Sequence, residues 1–272
     1  MKRTLFLGDS HTCGYTTIPG EIGTGSYETW QENNYAEQYA LLHNKKTAIY
    51  AMAGASNKSY TDWLRALLNK YHDVDEVFIL LSGFNRFMIS ANPNLNDNIL
   101  PVDHFMTPYD KGDGIDRYYD EVIVGDYLQL NQKPTDYDYK NFPKIEFSKE
   151  HGLVSPDLRK NTFMEIKTWM ELNTHLEQRE FFKDVYIWDR MCADASCKLY
   201  LFQMTDRLKF PSNFNFYGNL TNTIVGSNSV QSFFNQRNID HKRYYLVDNE
   251  HYNVAYHKLI ADKFLKSLTK PK

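Results

Sequence analysis

A serine near the start of the sequence and an Asp–His pair near its end are the residue types that acyl transfer requires. Ser10 ends the stretch "RTLFLGDS", and Asp248 and His251 stand three residues apart in "LVDNEHYN". A serine hydroxyl is a useful nucleophile when a base takes its proton, and an imidazole is a good base when a third group orients it. The pattern therefore predicts Ser10 as the nucleophile, His251 as the general base and Asp248 as the orienting carboxylate.

Acyl transfer also needs hydrogen-bond donors for the oxygen on which negative charge develops. Gly54 closes the apolar stretch "KTAIYAMAG", and Asn85 follows another in "EVFILLSGFN". We expect the backbone N–H groups of Ser10 and Gly54 and the side-chain amide of Asn85 to be these donors. Such a donor lowers the barrier by about 3 kcal/mol in known cases.

Strands and helices must bring these distant residues together. Short apolar runs that end in turn residues predict strands, and apolar residues three or four apart predict helices. The predicted strands are "RTLFLGDS", 46–54, 76–84, 197–204 and 243–248, and the predicted helices are 34–44, 59–75 and 253–268. Between 158 and 195 we expect one long helix or two consecutive helices, although "VYIWD" also fits a short strand.

This alternation of strands and helices predicts an α/β fold with a five-stranded, mainly parallel sheet covered on both faces. The candidate residues follow the predicted strands, and the carboxyl ends of parallel strands are where such sheets bind ligands. We expect a single domain over 1–272, with two long irregular insertions at about 91–157 and 205–241. Within the first insertion, 118–130 alone has a regular pattern.

Composition bounds the classes of partner. The formal net charge of the 272-residue chain is −3, which gives no case for a nucleic-acid partner. We also expect no secretory signal and no membrane partner, because no stretch approaches the ~20 apolar residues of a membrane span. The chain has 20 Tyr and 17 Phe, a content that suits stacking on sugars and equally suits codon bias.

Three cysteines are too few for a disulfide framework. We expect Cys13, Cys192 and Cys197 to be free thiols, although Cys192 and Cys197 could pair. Together with the missing signal, this predicts a soluble, cytoplasmic protein. The oligomeric state stays open.

Four motifs, in their order along the chain, resemble those of the SGNH (GDSL-like) hydrolase superfamily. They are Gly8-Asp9-Ser10, Gly54 in "AGASN", Gly83-x-Asn85 in "SGFNR", and Asp248-x-x-His251 followed by "YNVAYHKLIA". The resemblance implies a flavodoxin-like α/β/α sandwich of three layers, ester hydrolysis or acyl transfer, and no metal or organic cofactor. It implies that Ser10 is the nucleophile, His251 the base and Asp248 its orienting carboxylate. It also implies that Gly54 and Asn85 donate to the oxyanion.

The sequence departs from the family pattern at three places. His11-Thr12 follow the serine where an apolar residue is usual, Arg86 stands where an Asp is usual, and Ile49 stands where an Asn is often found. The block "SGFNRF" also resembles a divergent, often viral, group in which Ser and Arg stand out. We take Arg86 and Asp9 as candidate substrate-binding residues. If the protein is a viral member, we expect it in the host cytoplasm or the virion.

Each candidate also has a structural explanation. Ser10 could cap a helix, and Gly54 and Asn85 could simply form turns. Asp248 could cap the last helix, as Asn249 or Asn253 could. A metal site that joins His251 to His11, His257 or Glu250 is a further alternative, but we expect no metal.

The function predicted from these residues is serine-dependent cleavage of an ester, with O-deacylation of a carbohydrate as the preferred reaction. An O-acyltransferase would use the same triad, with a sugar hydroxyl in place of water. A glycan-binding or virion structural module could keep the fold without turnover.

Overall fold

The computed structural model describes residues 2–13, 33–51, 57–82, 86–90, 106–109, 115–120, 127–131, 174–206, 220–246 and 251–270. The strands in these ranges are β1 (Arg3–Gly8), β2 (Lys46–Ala51), β3 (Val74–Leu80), β4 (Arg86–Ser90), β5 (Met106–Tyr109), β6 (Ile115–Asp120), β7 (Tyr127–Asn131), β8 (Lys198–Phe202) and β9 (Thr223–Val225). The α-helices are α1 (Ser10–Cys13), α2 (Tyr35–His43), α3 (Ser59–Lys70), α4 (Thr174–Asp194), α5 (Val230–Asn235) and α6 (Val254–Leu259).

Helix α6 continues directly into a π-helical segment, Ile260–Leu265, and a last α-helical turn, Lys266–Thr269. We call the whole of 254–269 the C-terminal helix. In the parts of the chain that the structure describes, no helix combines the length and the apolar character needed to cross a membrane.

The main sheet has the strand order β5-β6-β2-β1-β3-β8-β9. Its strands pair in parallel, except that β5 is antiparallel to β6, and β4 and β7 form a separate antiparallel pair. The run β2-β1-β3-β8-β9 follows the 2-1-3-4-5 order of flavodoxin-like sheets. The predicted α/β class is confirmed, with seven strands in the main sheet instead of five.

Helices cover both faces of this sheet because successive strand residues point to opposite sides. Phe6 and Phe78 face one core, which they share with α2, α5 and the C-terminal helix. Their neighbours Leu7 and Ile79 face a second core, shared with α3 and α4. The result is three layers, with the carboxyl ends of the parallel strands at a common edge.

The fifth strand predicted at 243–248 is not formed over 243–246, the part of this range that the structure describes. His241–Tyr244 forms a 3₁₀ helix, which Asp240 caps by accepting a hydrogen bond from the Lys242 amide. Tyr245 makes only an isolated bridge, to Tyr252. The strand that completes the 2-1-3-4-5 order is β9, a three-residue edge strand too short for its sequence pattern to reveal.

Both predicted insertions contribute to the fold. Strands β5 and β6 lie within 91–157 and extend the sheet beyond β2, while β9 and α5 lie within 205–241. The alternative of a strand at "VYIWD" is also wrong, because α4 runs through it. Val185, Trp188 and Cys192 are buried there at helical spacing. The single-domain assignment stays a prediction.

Candidate active site

Ser10 lies at the carboxyl end of β1, where strand gives way directly to α1. The turn between them is held by Asp9, whose Oδ1 accepts from the His11 amide at 3.1 Å and whose carbonyl accepts from the Thr12 amide at 2.8 Å. Asp9 and Ser10 are both buried. Asp9 therefore caps α1, and its predicted contact with substrate stays a prediction.

Gly8 is required by the same turn. A Cβ at this position would lie 1.8 Å from Oγ1 of Thr12, which is far inside van der Waals contact. The glycine of the Gly-Asp-Ser motif thus allows Thr12, and with it α1, to fold back against the end of β1.

The structure brings Ser10 and His251 together, although 241 positions separate them in the sequence. The Ser10 Oγ lies 2.8 Å from the His251 Nε2, a hydrogen-bond distance. An imidazole nitrogen so placed can take the hydroxyl proton as the oxygen attacks an electrophile. The structure thus brings together the two side chains that the sequence predicts as nucleophile and base.

Backbone hydrogen bonds join the chain at His251 and Asn253 to the chain at Tyr244 and Leu246. The His251 carbonyl accepts from the Leu246 amide at 2.8 Å, and the Tyr244 carbonyl accepts from the Asn253 amide at 2.9 Å. Residues 247–250, which include Asp248, lie outside the described residues, and these bonds join the chain on either side of them.

The cap of the C-terminal helix is Asn253, whose side-chain oxygen accepts from the Tyr256 amide. This was one of the residues expected to be able to cap the helix. The structure thus gives the capping role to Asn253.

Two further imidazoles lie near the pair. The His11 ring is centred 5.0 Å from the His251 ring. His257 is buried, and burial lowers its pKa to about 3, with His11 and His251 adding to this effect while the Tyr252 backbone opposes it. The His257 ring is therefore neutral at ordinary pH.

The remaining predicted site residues are Gly54, Asn85, Asp248 and Arg86. Gly54, Asn85 and Asp248 lie outside the described residues. Arg86 is the first residue of β4, where its backbone pairs with Asn131 of β7. Their predicted roles stay predictions.

One structural feature of this edge was missed from the sequence. The buried Asn57 side chain donates from Nδ2 to the Ser82 carbonyl at 2.7 Å and accepts from the Ser82 amide at 2.8 Å. The Ser82 hydroxyl also lies 3.1 Å from the Tyr60 hydroxyl. Asn57 lies three residues after Gly54, and Ser82 lies three residues before Asn85, so each is close to a predicted oxyanion donor. The signal in the sequence that could have indicated this contact was the asparagine of "AGASN".

Across the described residues, no group of three or more His, Cys, Asp or Glu side chains is arranged to hold a metal ion. His11, His251 and His257 approach one another without forming such a group, and Glu250 lies outside the described ranges.

Comparison with known proteins adds no family. No protein-family model matches the chain, and no curated protein matches it either. The likeness to SGNH hydrolases therefore stays a resemblance of four motifs.

Proposed function

We propose that this protein is a serine esterase of the SGNH type, which removes O-acyl groups from carbohydrates through an acyl-enzyme. One observation carries the proposal, the 2.8 Å distance between Ser10 Oγ and His251 Nε2. It is supported by its location, since the pair lies at the carboxyl end of β1, where the strand order 2-1-3 reverses direction. Open α/β sheets bind their ligands at this point.

The proposed reaction has two halves. With the His251 proton on Nδ1, Nε2 takes the Ser10 proton while Oγ bonds to the ester carbonyl carbon and the carbonyl electron pair moves to its oxygen. Collapse of this tetrahedral intermediate breaks the carbon–oxygen bond to the sugar, whose oxygen receives the proton from Nε2. Water then attacks the acyl-enzyme in the same way, which releases the acid and restores Ser10.

Other residues complete the proposal as the sequence suggests. Asp248 would accept from Nδ1–H of His251, and the donors to the oxyanion would be the amides of Ser10 and Gly54 with the Asn85 side chain. The Asn57–Ser82 bonds support this arrangement, because they fasten the chain close to both Gly54 and Asn85.

The carbohydrate part of the proposal is supported by tyrosines beside the base. Tyr252 follows His251 directly, and Tyr245 stacks on Tyr252 with ring centroids 5.0 Å apart. Tyr244 and Tyr245 are half-buried. A partly exposed tyrosine offers an apolar ring face and a polar tip, which suits the C–H faces and hydroxyls of a sugar.

The test combines covalent labelling with turnover. We expect a fluorophosphonate to label Ser10, as mapped by mass spectrometry, and the protein to hydrolyse p-nitrophenyl acetate and acetylated sugars. Ser10→Ala should abolish labelling and lower kcat by about 10³-fold or more. The matched control is Ser82→Ala, which removes another buried serine hydroxyl at the same edge and should retain labelling.

Two results would contradict the proposal. One is wild-type protein that the probe does not label, and the other is turnover that Ser10→Ala leaves unchanged. Labelled protein that moves the acyl group to an added sugar, without releasing free acid, would instead identify an acyltransferase with the same pair.

The cytoplasm is the compartment we propose for this reaction. Cys192 and Cys197 are both buried and are free thiols. Unpaired cysteines suit a reducing compartment.

A further inference from the structure

Helix α1, which carries Ser10, is a single turn of four residues. A helix this short is not stable by itself and depends on tertiary contacts. Its fully buried Thr12 provides such a contact, because Oγ1 of Thr12 lies 2.5 Å from the hydroxyl of Tyr35 on α2. The position of the proposed nucleophile is therefore linked to Tyr35.

The same tyrosine touches the segment that carries the base. The Tyr35 ring stacks on the His257 ring, with centroids 5.9 Å apart and planes at 19°. His257 belongs to the C-terminal helix, whose first residue, Val254, lies three residues after His251. Both halves of the Ser10–His251 pair are thus connected to one side chain.

Tyr35 is itself held firmly. It is fully buried at the start of α2, where Asn34 caps the helix by accepting from the Glu37 amide at 2.9 Å. A phenylalanine would fill the same volume, so the tyrosine differs by one buried hydroxyl whose partner is Thr12. A buried hydroxyl is costly unless it is hydrogen-bonded, so the Thr12 contact favours a tyrosine over a phenylalanine here.

We propose that Tyr35 is a positioning residue of the active site, which sets the Ser10–His251 distance by bonding Thr12 with its hydroxyl and packing against His257 with its ring. Its effect on catalysis rests on the proposed function, while its effect on the distance does not. A displacement near 1 Å between reacting groups lowers rates by about 100-fold, so small shifts of α1 are measurable.

The test uses Tyr35→Phe, which removes the hydroxyl and keeps the ring. The matched control is Tyr39→Phe on the same helix, because Tyr39 is equally buried but its hydroxyl donates to Glu76 Oε2 at 3.2 Å. We expect Tyr35→Phe to lower kcat and the rate of phosphonate labelling by about 10- to 100-fold with little change in KM. Tyr39→Phe should keep wild-type rates while losing a similar amount of thermal stability.

A second variant checks that the lost interaction is the bond to Thr12. Thr12→Val removes the partner hydroxyl at constant shape, and the double variant with Tyr35→Phe should be no slower than either single variant, because both remove the same bond. Multiplying effects would show that the two hydroxyls act separately and would overturn the proposal.

A crystal structure of Tyr35→Phe tests the geometry without any assay. A Ser10 Oγ to His251 Nε2 distance beyond hydrogen-bond range supports the proposal, and an unchanged distance overturns it. If wild-type protein is not labelled by the phosphonate, the proposed esterase function fails, whereas this structural comparison still decides the role of Tyr35. Equal rate losses in Tyr35→Phe and Tyr39→Phe would also overturn the proposal, because they would show that the rates fall through a general loss of stability.

Discussion

At the scale of single residues, the site depends on two contacts that differ in kind. The hydrogen bond between Ser10 and His251 joins the two residues of the proposed reaction, and the close approach of Gly8 to Thr12 allows α1 to place Ser10 there. The residue types of the first contact could be recognised in the sequence because nucleophile and base have few candidates. The second could not, because a glycine before an acidic residue and a serine occurs in many turns.

Gly8→Ala tests the close approach. The added Cβ would meet Thr12 Oγ1 at 1.8 Å, so α1 must shift, and we expect a loss of about 1–3 kcal/mol in the free energy of unfolding. Turnover should fall as well, because Ser10 moves with α1. Urea denaturation and steady-state kinetics measure the two effects.

Gly226→Ala is the control for this prediction. Its added Cβ would meet its nearest neighbours at 3.4–3.5 Å, which is ordinary contact, so stability should change little. Similar losses in both variants would show that the effect comes from replacing any glycine, and not from the approach of Thr12.

At the scale of elements, the edge strand β9 pairs with β8, and a buried carboxylate on α4 holds the chain that enters it. Asp189 is fully buried, and it accepts from the Thr223 hydroxyl at 2.6 Å and from the amides of Asn222 and Thr221 at 3.0 and 3.3 Å. Burial alone would raise the Asp189 pKa, but these hydrogen bonds outweigh it and lower the pKa overall. The carboxylate thus stays charged and holds the chain that enters β9.

Asp189→Asn should loosen the chain that enters this strand. The amide can accept fewer of these bonds, so we expect a loss of about 1–3 kcal/mol in the free energy of unfolding. Hydrogen exchange of the β9 amides should quicken. Asp194→Asn, an exposed position at the end of the same helix, is the control and should leave both measurements unchanged.

The same carboxylate predicts an acid sensitivity. Because its pKa is lower in the folded state, its stabilising effect is complete above the ordinary carboxyl pKa and is lost as the pH falls through the folded-state value. The difference in the free energy of unfolding between wild type and Asp189→Asn should therefore become smaller in acid. A constant difference would contradict this assignment.

At the scale of the whole molecule, stability should depend on pH through His257 in the C-terminal helix. Its folded-state pKa of about 3 lies below the ordinary value of 6.5. As the pH falls below about 6.5 the unfolded chain gains a proton that the folded protein cannot accept, so the free energy of unfolding decreases. For one such group the slope approaches about 1.4 kcal/mol per pH unit.

His257→Phe removes this group and keeps a ring to pack against Tyr35. We expect its stability to decline less steeply than that of the wild type between pH 7 and about 4.5, as measured by thermal or urea unfolding. His72→Phe, at an exposed position, should keep the wild-type slope. Identical slopes in wild type and His257→Phe would contradict the prediction.

The sequence by itself determined the α/β class, and it singled out Ser10 and His251, which the structure brings within hydrogen-bond distance. Apolar periodicity identified β1, β2, β3, β8 and the helices around them, because each of these elements buries a regular apolar face. Ser10 and His251 were identifiable because acyl transfer limits the residue types that can serve. These are local properties, readable over a few residues.

Only the tertiary structure decided how the sheet ends and what holds the site. Strand β9 takes its place by pairing with β8 and through the contacts of Asp189, and the described residues 243–246 form no strand because Asp240 caps a 3₁₀ helix over 241–244. The Tyr35 contacts likewise join α1, α2 and the C-terminal helix. Such contacts connect residues far apart in the chain, so the apolar periodicity of a single segment cannot predict them.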